Sequence, residues 1–160
     1  MTDANIWIDL HNADLLDAAF ELNHTTWHTP NIIVRDEVLT VDRDLLVDLG
    51  LDVRTLSGDE LNRILTLNGR YPQPSPKDLS VLVVADADNG IVVSGDGPLR
   101  AAAEAEEMTV HGVLWILDRL VEEPIITENR AVTALNAMLQ QGARLPDEPV
   151  ENRLDDWRSS

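Results

Sequence analysis

The sequence contains no cysteine, which excludes disulfides, thiolate metal sites and cysteine nucleophiles together. It contains one lysine, Lys77; that residue follows Pro76, so no phosphate-binding loop of the G-x-x-x-x-G-K kind is present. There is no G-x-S-x-G elbow for a serine nucleophile. No apolar run approaches the roughly 18 residues of a membrane span, and Met1-Thr2-Asp3 has no basic lead-in, so neither a membrane anchor nor an export signal is expected. The expected compartment is the cytoplasm. Histidine is also scarce: His11, His24, His28 and His111 show no two-histidine metal spacing on one helix, because the segment holding His24 and His28 stops at Pro30. They read as ordinary surface or core residues.

What is present in excess is negative charge. Twenty-nine acids face twelve bases, eleven of them arginine, for a net charge of −17. Such a surface repels nucleic acid and anionic lipid at long range, and on charge alone a nucleic-acid enzyme would not be expected. Solubility is the plain explanation, and a patch for a basic partner is the sharper one. The 160 residues, 44% of them apolar, suffice for one domain with a buried core.

No repeat, low-complexity tract or interior linker divides the chain. The apolar runs Asn5-Ile6-Trp7-Ile8 and Pro30-Asn31-Ile32-Ile33-Val34 predict two buried strands. Leu51 to Leu56, Ile91 to Val93 and Met108 to Val110 predict three more. Helical periodicity marks residues 11–23, 35–49, 57–68, 78–88, 98–107, 111–121 and 127–141. Val81-Leu82-Val83-Val84 could equally be a strand, but Gly90 closes the segment as a helix. The apolar face of 111–121 fits a homodimer contact as well as it fits core packing. Trp7 and Trp115 read as core anchors, whereas Trp27 and Trp157 sit in polar stretches and could mark an interface. The acidic segment after Pro146 is expected to pack weakly. Alternating strands and helices predict an α/β fold, a three-layer sandwich around a central, mostly parallel sheet. Ligands of such sheets gather at the carboxyl ends of the strands.

That rule promotes four acids. Asp3 adjoins the first apolar run, and Glu37 follows the second. Asp78 opens the helix after the proline-rich break at Pro72, Pro74 and Pro76. Asp96 follows Ile91-Val92-Val93 through a turn that Gly95 and Gly97 would ease. Each has a structural explanation: Asp78 and Asp96 as helix caps, Glu37 as a solvated first-turn acid. Asp3 is harder to dismiss, since a buried acid is costly unless paired. Carboxylates crowded on one rim repel one another unless a divalent cation neutralises them, and oxygen-only ligation suits Mg²⁺ or Mn²⁺. Asp9 and Asp36 read as solvated.

In this order the acids resemble those of PIN domains. Asp3-Ala4-Asn5-Ile6 is similar to the family's opening D-x-N motif, and Ile32 to Val38 to its strand followed by a glutamate. Ser75-Pro76-Lys77-Asp78 resembles its S-x-x-D helix start, and Val93-Ser94-Gly95-Asp96 with Leu99-Arg100 its S-G-D turn. His111 to Leu117 resembles the hydrophobic-G-T-L-hydrophobic-hydrophobic-L helix of a poorly characterised PIN-like branch. The resemblance covers residues 1–145 as one PIN-like domain, with 146–160 as an acidic C-terminal tail. It implies that Asp3, Glu37, Asp78 and Asp96 form a catalytic, metal-binding set for one or two Mg²⁺ or Mn²⁺ ions. Asn5 and Ser94 would support it, and Arg35, Lys77 and Arg100 would contact phosphate. The implied activity is metal-dependent endoribonuclease cleavage of RNA, as in VapC-type toxins held by a cognate antitoxin. Two departures stand out: only two residues precede Asp3, and Gly97-Pro98 stands where some members carry a fifth acid. A non-catalytic binding protein on the same scaffold is the main alternative. A dehalogenase-type phosphatase is a lesser one, because Asn5 stands where it needs an acid.

Overall fold

The computed structural model describes residues 1–36 and 41–160, Asp36 by its backbone alone. The fold is α/β, with strands that are few, short and parallel. Strand β1 (His28–Pro30) pairs with β2 (Asp52–Arg54), and β3 (Val92–Val93) pairs with β4 (Val110–His111). Met1 and Thr2 lie between the two pairs. The Thr2 N–H donates to the His28 carbonyl at 2.9 Å, and the Val93 N–H to the Met1 carbonyl at 2.8 Å, with a parallel bridge between Thr2 and Val93. The buried hydroxyls of Thr2 and Thr29 share a hydrogen bond of 2.8 Å.

The first two apolar runs behave differently from the expectation. Asn5-Ile6-Trp7-Ile8 is helical, within α1 (Ala4–Asn12). Asp3 caps this helix, and Ile6, Trp7 and Leu10 bury one face. That spacing suits a helix stripe as well as a strand run. Asp14, at φ +56, breaks the expected 11–23 helix, and α2 (Leu16–Phe20) resumes after the turn. Likewise Ile32-Ile33-Val34 lies in helix α3 (Asn31–Asp36), just after β1. Helix α4 (Arg43–Leu49) starts where the Asp42 side chain accepts the Asp44 N–H at 2.9 Å. The expected 35–49 helix is therefore not one element at its described ends, and Glu37 lies outside the described residues.

The later helices fall close to where periodicity puts them: α5 (Gly58–Arg70), α6 (Pro76–Ala87), α7 (Gly97–Ala105), α8 (Val113–Glu122) and α9 (Glu128–Gln140). Residues 79–85 of α6 are all buried, which is why that stretch reads equally well as a strand. Two apolar clusters result. One contains Trp7, Leu10, Ile116, Leu117, Leu135 and Met138; the other contains Ile64, Leu67, Leu79, Leu82, Leu99 and Ala103. Adjacent strand residues divide between them, Val93 to the first and Val92 to the second, as strand alternation requires.

Core packing accounts for the apolar face of α8, where Val113, Leu114, Ile116, Leu117 and Leu120 are buried. Trp7 anchors the first cluster, stacked on Phe20 and edge-on to Trp27. Trp27 is itself buried and donates to the Ala19 carbonyl at 2.9 Å. The acidic C-terminal segment, expected to pack weakly, forms helix α10 (Asp147–Arg158) and buries Val150 and Trp157 against the first cluster. Its Arg153 holds Asp118 of α8 through two hydrogen bonds of 2.8 and 2.7 Å. No described helix is long and apolar enough to cross a membrane.

Candidate functional site

Asp3 stands at the junction of the Met1–Thr2 segment and α1, 3% exposed. Its Oδ1 accepts the Ile6 N–H at 3.3 Å, capping the helix, and its Oδ2 accepts the Ser94 hydroxyl. Ser94, fully buried at the end of β3, also accepts the Asp96 N–H at 3.1 Å. One hydroxyl thus ties the acid that ends the first extended segment to the turn that carries the second acid. Asp96 caps α7 by accepting the Leu99 N–H at 3.0 Å through Oδ2. Asp78 sits in a capping box, with its N–H on Ser75 Oγ and its Oδ2 on the Ser75 N–H, both 3.1 Å. Capping therefore involves all three acids: Asp96 is an N-cap as expected, Asp3 is one as well, and Asp78 is the third helical residue that pairs with the N-cap Ser75 rather than the cap itself. These bonds use one oxygen of Asp78 and of Asp96, and no described residue donates to the Oδ1 of either.

The glycines flanking Asp96 have no special backbone role. Neither takes a positive φ, and a Cβ on either would meet open space. The turn is held by Ser94 and Asp96 instead.

Burial pushes the Asp3 carboxyl up to about 6, against the hydrogen bonds from Ser94 and Ile6. The charges of Asp78 and Asp96 push it further the same way, so both lie within electrostatic reach of Asp3. Among the described residues, however, no three Asp, Glu or His side chains stand close enough to grip an ion.

Of the expected phosphate contacts, Arg100 is nearest to Asp96. Its Nη1 donates to the Ser94 carbonyl at 2.8 Å. Gly112 makes room for it, since a Cβ there would lie 3.1 Å from that nitrogen. Lys77 is half-buried in the first turn of α6, and Arg35 is exposed on α3. Asn5 is exposed in the first turn of α1 and faces a cleft.

That cleft has a volume of about 970 Å³ and opens beside Asp96 and Arg100. Asn5, Asp9 and Asn12 of α1 line one wall, and Arg144 and Arg153 line the C-terminal side. Asp9, read from the sequence as solvated, is half-buried there, and burial pushes its carboxyl up to about 6. It was missed because Asn5 to Ile8 read as a strand. On a helix, residues 5, 9 and 12 share a face.

The DUF3368 family, a PIN domain, matches residues 1–159. The chain belongs to the PIN-domain family. No curated protein and no solved structure gives a significant match. PIN domains have a nuclease-type fold, generally use divalent metal ions, generally bind RNA and often pair with antitoxins. Membership sets aside the dehalogenase-type reading. The donor chemistry of this PIN domain fits such an ion: its acids offer only hard oxygen atoms, and Asp3 is a buried carboxylate whose interacting charges share its own sign.

Proposed function

We propose that this PIN domain is a Mg²⁺- or Mn²⁺-dependent endoribonuclease, with Asp3, Glu37, Asp78 and Asp96 as its metal-holding carboxylates. The observation that carries the reading is Asp3: buried, hydrogen-bonded through Ser94 to the Asp96 turn, and acted on by the charges of Asp78 and Asp96. A divalent ion among these groups would supply a Lewis acid for phosphodiester hydrolysis. Ser94 fixes the relative positions of Asp3 and the Asp96 backbone. Arg100, anchored on the Ser94 carbonyl, offers its remaining N–H groups to phosphate, joined by Lys77 and Arg35. The cleft offers an anionic substrate two arginines with no ion pair among the described residues, Arg100 and Arg144, in a chain where acids outnumber bases 29 to 12.

The same reading joins the two strand pairs through Met1 and Thr2 into one parallel sheet. The partition of Val92 and Val93 between two clusters supports helices on both faces, a three-layer sandwich. It also takes the protein as the toxin of a toxin–antitoxin pair, working as a homodimer in the cytoplasm, with the −17 charge suited to a basic antitoxin.

The test is cleavage of 5′-labelled single-stranded RNA in Mn²⁺ by the parent, Asp3→Asn and Asp96→Asn. Both variants are expected to lose cleavage while keeping the far-UV circular dichroism of the parent. Cleavage at the parental rate by either would overturn the assignment. The net charge of −17, with Gly97-Pro98 where some members carry a fifth acid, favours one second reading, a non-catalytic binding protein on the same scaffold. Tight binding of a basic protein without Mn²⁺ affinity would support that reading.

A further inference from the structure

We propose that the cleft edge of α1 reads the bases of single-stranded RNA, and that Asp9 makes guanine the preferred base at one position; the inference rests on the nuclease reading above. Asn5, Asp9 and Asn12 are four and three residues apart and all line the cleft. They form a strip along one helix face about 10 Å long. Such a strip spans more than one nucleotide edge. Asn5 and Asn12 can each donate and accept, so they tolerate any base. Asp9 cannot, because an ionised carboxylate only accepts.

Asp9 is also poorly compensated. It is half-buried, and no hydrogen bond or neighbouring charge among the described residues offsets that burial. A phosphate would be repelled from it. The cations that suit phosphate lie elsewhere in the cleft, at Arg100 beside Asp96 and at the exposed Arg144. Arg153 is already committed to Asp118. An RNA strand in this cleft therefore satisfies both sets of charges with its backbone at the arginines and a base edge at Asp9. Single-stranded RNA exposes its Watson–Crick edges for such contacts. Guanine presents two adjacent donors there, N1–H and the 2-amino group, which match the two carboxylate oxygens. Adenine and cytosine present one amino group beside an acceptor. Uracil presents one N–H between two carbonyls, the poorest match.

The experiment measures fluorescence anisotropy of labelled hexanucleotides: oligo-U, and the same strand with one uracil replaced by guanine. Ca²⁺ is present in place of Mn²⁺, and RNA integrity is checked on a gel. The parent is expected to favour the guanine strand about tenfold, the scale of one bidentate base contact. Asp9→Asn, which keeps size and helix propensity, is expected to bring the two affinities within about twofold. Asp9→Ala should do the same, and the affinity ratio separates loss of base reading from simple loss of negative charge. A parent that binds both strands equally, or a preference that survives both variants, would overturn the role of Asp9 while leaving the nuclease reading in place. A parent that binds neither strand would overturn both.

Discussion

Burial raises the Asp3 carboxyl from its ordinary 3.8 to about 6, so the metal-free fold prefers this group protonated. The sign follows directly. The unfolded chain ionises it near 3.8 and the folded chain only near 6, so the penalty is absent below pH 3.8 and complete above pH 6. At neutral pH it is on the order of 3 kcal/mol. Metal-free protein should therefore lose stability as pH rises from 4 through 6, with Asp9 acting in the same direction. Asp3→Asn keeps a good helix cap and an acceptor for Ser94. In urea denaturation at pH 7.5 with a chelator present, it should be more stable than the parent by on the order of 2 kcal/mol. A less stable variant would show that burial of the charge is not what dominates at Asp3. Ser94→Ala removes the hydroxyl that touches both Asp3 and Asp96. Supporting groups of this kind typically contribute about 10- to 100-fold in metal affinity, so Mn²⁺ binding should weaken by that factor; unchanged affinity would remove Ser94 from the site.

Helix caps organise the elements around these residues, and they decide what the sequence makes legible. Ser75-Pro76-Lys77-Asp78 spells out a helix start, and the chain forms a capping box there. Ser75→Ala should cost about 1 kcal/mol in equilibrium denaturation; no loss would mean that packing of the all-buried α6 alone sets its start. Asp96 after a short apolar strand was equally readable, as were the five later helices, whose apolar periodicity is long. The first third of the chain was not. Asn5 to Ile8 and Ile32 to Val34 are short apolar runs that suit a strand and a buried helix turn alike. For α1 the cap sits in a tertiary setting the sequence does not display: Asp3, which accepts the Ile6 N–H, also bonds Ser94, 91 residues away. The same error hid Asp9, which reaches the cleft only once residues 4–12 are helical. Glu37 falls outside the described residues, so its place in the set rests on the family pattern alone.

At the scale of the whole molecule, the C-terminal segment is a structural part of the fold. Trp157 is 8% exposed within the first cluster, and Trp157→Ala should cost about 3–5 kcal/mol in denaturant. A loss below about 1 kcal/mol would return the segment to the status of a loose tail. The global charge of −17 opposes RNA at long range, leaving Arg35, Lys77, Arg100 and Arg144 to make the phosphate contacts. Four such contacts on a single strand give a slope of log affinity against log salt of about −2.8, and screening of the acidic surface flattens it further. A slope steeper than about −3 would mean that a larger basic surface, not this cleft, receives the RNA.

The central claim is that Asp3 and its neighbours hold a divalent cation, and calorimetric titration of Mn²⁺ into the parent and into Asp3→Asn tests it most directly. The account predicts saturable binding by the parent that disappears in the variant. Binding that survives unchanged in Asp3→Asn, or a parent that takes up no Mn²⁺, would contradict it.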